Sequence, residues 1–289
     1  MVVLLQSGTA PLTGSSGAPA GGGKRVGSAD VTAEQGAPLV EARAITRSFG
    51  RVVALRGADF MVRPGEVSAI VGDNGAGKST LIKILSGALQ ADGGELLIDG
   101  RPIRLASPRE ARLAGIETVY QDLALAPSLD VASNLFLGRE TRQGGLLGRL
   151  GFLDDRAMRK RAQDEMVNLQ IGLSSVRQPV LTLSGGQRQA IAVARATAWG
   201  KRVVIMDEPT AALGVRESHM VLRLIERIRA SGVAVIMISH NLPEVFEVAD
   251  RITILRLGLT VRQIARREAS MTDVVAFMTG AQAAQIAEM

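Results

Sequence analysis

The stretch GDNGAGKST, Gly72 to Thr80, constrains this 289-residue chain more than any other feature. It follows EVSAIV, an apolar run of strand length, and precedes TLIKILSGAL, whose apolar residues recur at helical spacing until Gly87. Gly72-Asp73-Asn74-Gly75-Ala76-Gly77-Lys78-Ser79 therefore matches the P-loop pattern in the strand-loop-helix context the pattern requires. Glycines let successive backbone N–H groups turn toward phosphate oxygens, and the helix dipole adds positive potential at the same place. Lys78 is expected to reach the β and γ phosphates and Ser79 to ligate Mg²⁺, with Thr80 in the same turn. Taken alone, the motif implies only a bound nucleoside triphosphate, with a purely structural glycine turn as the alternative.

Further along, KRVVIMDEP reads as a buried strand that delivers Asp207 and Glu208 at its C-terminal end, where open parallel sheets place their ligands. Asp207 is expected in the Mg²⁺ shell and Glu208 as general base for an attacking water. A lone Asp-Glu pair would read as an exposed acidic loop; an upstream P-loop turns the balance toward function. SHMVLRLIERIRASG is a helical pattern ending at Gly232, and VAVIMISH another buried strand. Strands alternating with helices predict an α/β fold with a mainly parallel core sheet covered on both faces. LVEARAITRSF and VVALRGADFMV, turning at Gly50, predict a small antiparallel β subdomain, and ELLIDGRPIRL a hairpin with Asp99-Gly100 at its tip. SPRE can start a helix, with Ser107 as cap, Pro108 in first position and Glu110 completing a capping box. From there to about 188 the chain is expected to form a helical subdomain.

A second glycine-rich helix start lies at Leu183-Ser184-Gly185-Gly186-Gln187, where Ser184 can serve as N-cap and the glycines leave the first N–H groups uncovered. The chain's own P-loop has no need of it. Here the sequence resembles the ATP-binding-cassette (ABC) family, whose signature motif reads LSGGQ. The resemblance implies a P-loop NTPase of the ABC ATPase fold, in which this second site, through the backbone amides of Ser184 and Gly186, grips the γ phosphate of ATP held by another copy, so that ATP glues a head-to-tail homodimer.

The same resemblance assigns three further residues. Gln121, in ETVYQDLA, lies where the family's glutamine contacts Mg²⁺ and attacking water and senses the helical subdomain, although alone it would be a surface glutamine. His240 matches the histidine that contacts the γ phosphate, against the plainer reading of a hydrogen-bonded neighbour. Phe49 lies where an aromatic stacks on adenine, with a core Phe as the alternative. His219 matches no motif. One position departs: the family commonly has an aspartate where Gly214 stands, and that aspartate serves communication across the dimer.

The resemblance covers about residues 40 to 280, the expected ABC ATPase domain running 38–280. GIETVYQDLALAPSL, MDEPTAALGVRES, ISHNLPEVFEVADRI and AFMTGA are most similar to the simple-sugar import branch, in particular to bacterial fructose importers. This implies an ATPase on the cytoplasmic face of the inner membrane, working with transmembrane permease subunits and, indirectly, a periplasmic sugar-binding protein. Many ATPases of that branch fuse two cassettes; this sequence shows one, with no internal repeat. The rival class, ABC ATPases that act on nucleic acid or ribosomes, usually has paired cassettes or long coiled-coil insertions. One Trp and one Tyr also leave little for base stacking, so no nucleic-acid partner is expected.

Composition adds exclusions. The absence of cysteine removes disulfides and Cys-based metal sites. A net charge of +6 is compatible with nucleic acid, anionic lipid or nucleotide and selects none of them. No apolar run reaches the ~18 residues of a membrane span. The Gly, Ser, Ala and Pro-rich residues 1–37 are expected to form a disordered tail or an over-extended gene start, and 281–289 a C-terminal tail.

Overall fold

The apolar runs read as buried strands lie side by side at the centre of one sheet. The computed structural model describes residues 36–200 and 202–281, so most of both expected tails lies outside the described residues. Its strands are β1 (Val40–Phe49), β2 (Val52–Val62), β3 (Val67–Val71), β4 (Gly93–Ile98), β5 (Arg101–Ile103), β6 (Ile116–Val119), β7 (Val203–Asp207), β8 (Ala234–Ile238), β9 (Arg251–Arg256) and β10 (Leu259–Ala265). Its α-helices are α1 (Lys78–Leu85), α2 (Pro108–Leu113), α3 (Val131–Phe136), α4 (Gly145–Arg149), α5 (Asp155–Asn168), α6 (Gly185–Trp199), α7 (Val215–Ala230), α8 (Leu242–Val248) and α9 (Met271–Thr279).

Six strands form the main sheet in the order β10-β9-β3-β8-β7-β6. All neighbours run parallel except β10, which pairs antiparallel with β9 at one edge. Strand alternation divides the core between the two faces. Val67, Ala69, Val71, Val204, Met206, Val235 and Met237 belong to one apolar cluster with α3, α5, α6 and α7. Ile70, Val203, Ile205, Ile236 and Ile238 belong to the other, with α1 and the small sheet. Burial on both sides explains why β8 reads as an unbroken apolar run and β3 as one interrupted only by the buried Ser68.

The second sheet is antiparallel, with the order β2-β1-β4-β5. Asp99 and Gly100 both take positive φ, 51° and 71°, as the tight turn between β4 and β5 requires. Ser107 caps α2 by accepting from the Glu110 amide, but the Glu110 carboxylate accepts from Ala106 N at 2.9 Å, so the reciprocal half of the expected capping box is shifted by one residue.

The stretch 107–188, expected to be helical, contains β6, which pairs with β7 as the edge of the main sheet. Four residues, two buried at the ends and two half-buried between them, leave too little periodicity to distinguish a strand from its helical surroundings. The helical group proper begins with α3, which packs on α5 and α6.

Candidate nucleotide site

The order β3-β8-β7-β6 in the parallel sheet decides where the chemistry gathers. Gly72 follows the end of β3, His240 follows β8, Asp207 ends β7 with Glu208 next, and Gln121 follows β6. Residues separated by up to 168 positions of chain thus leave the C-terminal ends of four adjacent strands, on the side where parallel sheets bind ligands.

At the first of these ends the chain turns directly into α1. Gly77 is its N-cap with φ 104° and no side-chain cap. A Cβ there would lie 2.7 Å from Leu55 Cδ2 and 2.8 Å from the Ala54 carbonyl oxygen, so both the conformation and the approach of β2 demand glycine. Lys78 is buried, and its ammonium donates to the carbonyls of Gly72 at 2.7 Å and Asp73 at 2.9 Å. Burial lowers its pKa, while Glu208, Asp73 and Asp207 oppose that shift and favour the charged form. Asp73, Asn74, Gly75 and Ser79 are exposed around this ammonium, Thr80 is half-buried and Ala76 buried.

The two acids at the end of β7 differ. Asp207 has a raised pKa, first because burial disfavours its charge and second because Glu208 is adjacent; Lys83 and Lys78 pull the other way. Glu208 takes a left-handed backbone with φ 53°, an uncommon state for a non-glycine residue and one that gathers at functional sites. Its amide donates to Ile238 O at 3.0 Å across to β8, and its Oε2 lies 2.6 Å from His240 Nδ1. The carboxylate and the imidazole expected to share the γ-phosphate chemistry are therefore in direct contact. Thr210, two residues on, hydrogen-bonds Glu244 of α8, which fixes the segment after Glu208. Nothing in the sequence pattern singled out Glu244.

Gln121 is exposed, at the start of the loop between β6 and α3. Phe49 ends β1 and is 48% exposed, not in the core, with the Arg47 guanidinium 5.0 Å from its ring centre. Asp92 holds this corner by accepting from Arg47 Nη1 at 2.6 Å and Ser48 N at 2.7 Å.

Ser184 begins α6 with a reciprocal capping box. Its Oγ accepts from Gln187 N at 3.2 Å, and its own amide donates to Gln187 Oε1 at 3.0 Å. The Ser184 amide is thus already engaged, and helix geometry leaves the Gly185 and Gly186 amides as the open donors of this turn. Gln187 also donates to Gly172 O at 3.2 Å, and these bonds tie the turn to the helical group, not to the P-loop. A Cβ on Gly186 would come within 2.7 Å of Glu217 Cγ on α7. The same Glu217 carboxylate lies 2.7 Å from where a Cβ on Gly214 would stand, so an aspartate at 214 would set a second acid against it.

A family profile described as ABC transporter matches residues 55–211, more than half of the chain. This chain belongs to the ABC transporter family. The profile spans the P-loop, Gln121, the Ser184 turn and the acid pair, while His240 lies beyond it. Among curated relatives, the ABC chain is 54% identical to the fructose import ATP-binding protein FrcA of Rhizobium meliloti over 247 residues, covering 85% of this chain and 95% of that protein. It is 46% identical to the ribose import ATP-binding protein RbsA 2 of Burkholderia pseudomallei over 246 residues, covering 84% of this chain and 47% of the relative. The chain therefore spans about half the length of the ribose-import relatives.

Solved structures give the same fold. A nucleotide-free ATP-binding cassette from an ABC transporter aligns with TM-score 0.72 at 24% identity, covering 83% of this chain and 98% of that one. A dimeric post-hydrolysis cassette bound to ADP and Pi aligns with TM-score 0.64 at 25% identity, covering 79% and 99%. Among the described residues no helix is long and apolar enough to cross a membrane.

Proposed function

We propose that this chain is the ATP-hydrolysing subunit of a bacterial importer of simple sugars, fructose or a similar monosaccharide. The observation that carries the reading is the Glu208-His240 contact at the sheet edge that also presents the P-loop. The high identity to a fructose import protein over nearly its full length supports the sugar class.

In this reading ATP lies with its phosphates along Gly72–Thr80, and Lys78 exchanges its carbonyl partners for phosphate oxygens. Glu208 takes a proton from water as the water oxygen bonds to the γ phosphorus; the bond to the bridging oxygen of ADP breaks, and ADP and phosphate leave. His240, held at Nδ1 by Glu208, presents its other nitrogen toward the transferred group. The Ser79 hydroxyl, the Asp207 carboxylate and the Gln121 amide oxygen would hold Mg²⁺ through oxygen donors, the ligand chemistry that ion prefers. Bound Mg²⁺ supplies charge neutralisation at the phosphates.

The open amides of Gly185 and Gly186 would contact ATP on a second copy, giving a homodimer with two competent sites. The dimer sits peripherally on the cytoplasmic face of the inner membrane and drives separate permease subunits, with a periplasmic binding protein delivering the sugar. Hydrolysis in solution is then expected to rise with the square of protein concentration while monomers dominate. Full turnover by a strict monomer defeats the two-copy site. Deleting the gene is expected to abolish growth at limiting concentrations of one sugar among fructose, ribose and xylose; unimpaired growth on all three removes the import assignment.

A further inference from the structure

The loop that carries Gln121 is held by two bodies. Its near end is Val119, the last residue of β6, paired in register with Met206 of β7. Its far end is fastened by side chains of the helical group. Arg195, on α6, donates from Nη2 to Leu123 O and from Nη1 to Ala124 O, both at 2.8 Å. Asn134, fully buried on α3, accepts from Ala126 N at 2.7 Å and donates to the carbonyls of Ala126, Leu129 and Asp130 at 3.0, 3.3 and 3.0 Å.

Only Tyr120, Gln121 and Asp122 lie between the sheet-held Val119 and the arginine-held Leu123. At this junction, rotation of the helical group against the sheet is taken up in those residues. Ala124 takes a left-handed φ of 49°, which brings successive carbonyls to one side of the chain, where one planar guanidinium fork takes both. A lysine has a single nitrogen to divide between them. Burial lowers the Arg195 pKa, Glu117 opposes that shift and Arg139 adds to it, so this cation sits in a partly dry joint where its bonds are costly to lose.

We infer that Arg195 is a positioning residue that makes the Gln121 loop move with α6. Arg195 lies 11 residues beyond Ser184 on one continuous helix, ~16 Å along its axis. A displacement of the Ser184 turn by a neighbouring nucleotide is carried along that rod to Leu123 and Ala124, and so to Gln121; the reverse path brings nucleotide contact at Gln121 to the Ser184 turn. This link rests on the proposed roles of Gln121 and Ser184.

The chain carries its own reporter. Trp199, the one tryptophan of the sequence, ends α6 and donates from Nε1 to Leu135 O at 3.0 Å. The Arg139 and Arg161 guanidinium carbons lie 5.0 and 4.6 Å from its ring, and Arg139 is paired with Glu117 of β6. Tryptophan emission therefore reads the junction between α6 and the sheet.

The test titrates Mg-ATP into full-length wild type, R195M and R195K, following Trp199 emission, nucleotide Kd and steady-state kcat. Wild type is expected to change emission on binding. R195M is expected to keep its Kd within about twofold, lose most of the emission change, and lose kcat by up to ~10²-fold, the cost of a misplaced catalytic group. R195K is expected to fall between the two. If R195M fails to bind nucleotide, R195K is judged alone: a weakened response and kcat at unchanged Kd supports the link. Wild-type emission and kcat in the decisive variant overturn it, as does a wild type whose Trp199 ignores ATP. A wild type without hydrolysis removes the proposed function as well, whereas active wild type and equally active variants remove the link alone.

Discussion

The two glycine-rich helix starts are built differently. α1 begins without a side-chain cap, its backbone forced open at Gly77 by the close approach of β2, with the buried Lys78 ammonium beside it. α6 begins with a serine and a glutamine that satisfy each other's amides and leave the two glycine amides. The first start has donors, dipole and a full positive charge at one point, enough to hold a polyphosphate. The second has a partial set, which in the proposed function completes a phosphate site held elsewhere. A capped turn also keeps its shape while it waits, whereas an uncapped one needs the surrounding strands to maintain it.

The largest expected effect tests whether hydrolysis belongs to the α1 side of this contrast. Glu208→Gln should lower the phosphate-release rate by about 10² to 10⁴-fold with ATP binding retained; an unchanged rate removes Glu208 as the base. Next, Lys78→Ala should weaken nucleotide affinity by roughly 10 to 10²-fold, as expected for losing charge-assisted bonds. Ser184→Arg should leave the affinity of dilute protein unaltered while abolishing turnover. If equilibrium binding shows both variants equally impaired for nucleotide, the division between a complete and a completing site disappears.

Smaller effects sharpen the comparison. Ser184→Ala removes a cap worth ~1 kcal/mol, so the melting temperature should drop by about 2 to 4 °C. Asp207→Asn should act oppositely. Because the folded pKa of Asp207 is raised, its ionisation opposes folding in full above that pKa; the penalty fades as pH falls through it and is gone below the ordinary Asp value of 3.8. The Asn variant should therefore melt higher than wild type near neutral pH, with the difference vanishing in acid. A gain that persists at low pH would assign the effect to packing.

Much of this is legible in the sequence alone. Val67–Val71 and Ala234–Ile238 are buried throughout, so their apolar runs read directly as central strands. The glycine-rich turn into α1 is legible because its glycine spacing is dictated by local backbone geometry. β6 is not legible because a four-residue strand, buried at both ends and half-buried between, carries no usable period. Arg195, Asn134 and Glu244 escaped for another reason: each acts on backbone or side chains 34 to 72 positions away or, for Asn134, across a turn whose shape no pattern announces. Phe49 was open between core and surface, and its 48% exposure comes from its place at the tip of a two-stranded turn, which composition does not encode.

By itself the sequence determined the local chemistry: which turns expose amides, where a lysine and two acids stand relative to strand ends, and that the core is aliphatic and without cysteine. Those features depend on neighbours a few residues apart. Only the tertiary structure decided that β3, β8, β7 and β6 lie in that order, so that four distant segments meet at one edge, and that one arginine bridges α6 to the Gln121 loop. Strand order and side-chain reach are set by packing the whole chain, where long-range burial outweighs every local preference.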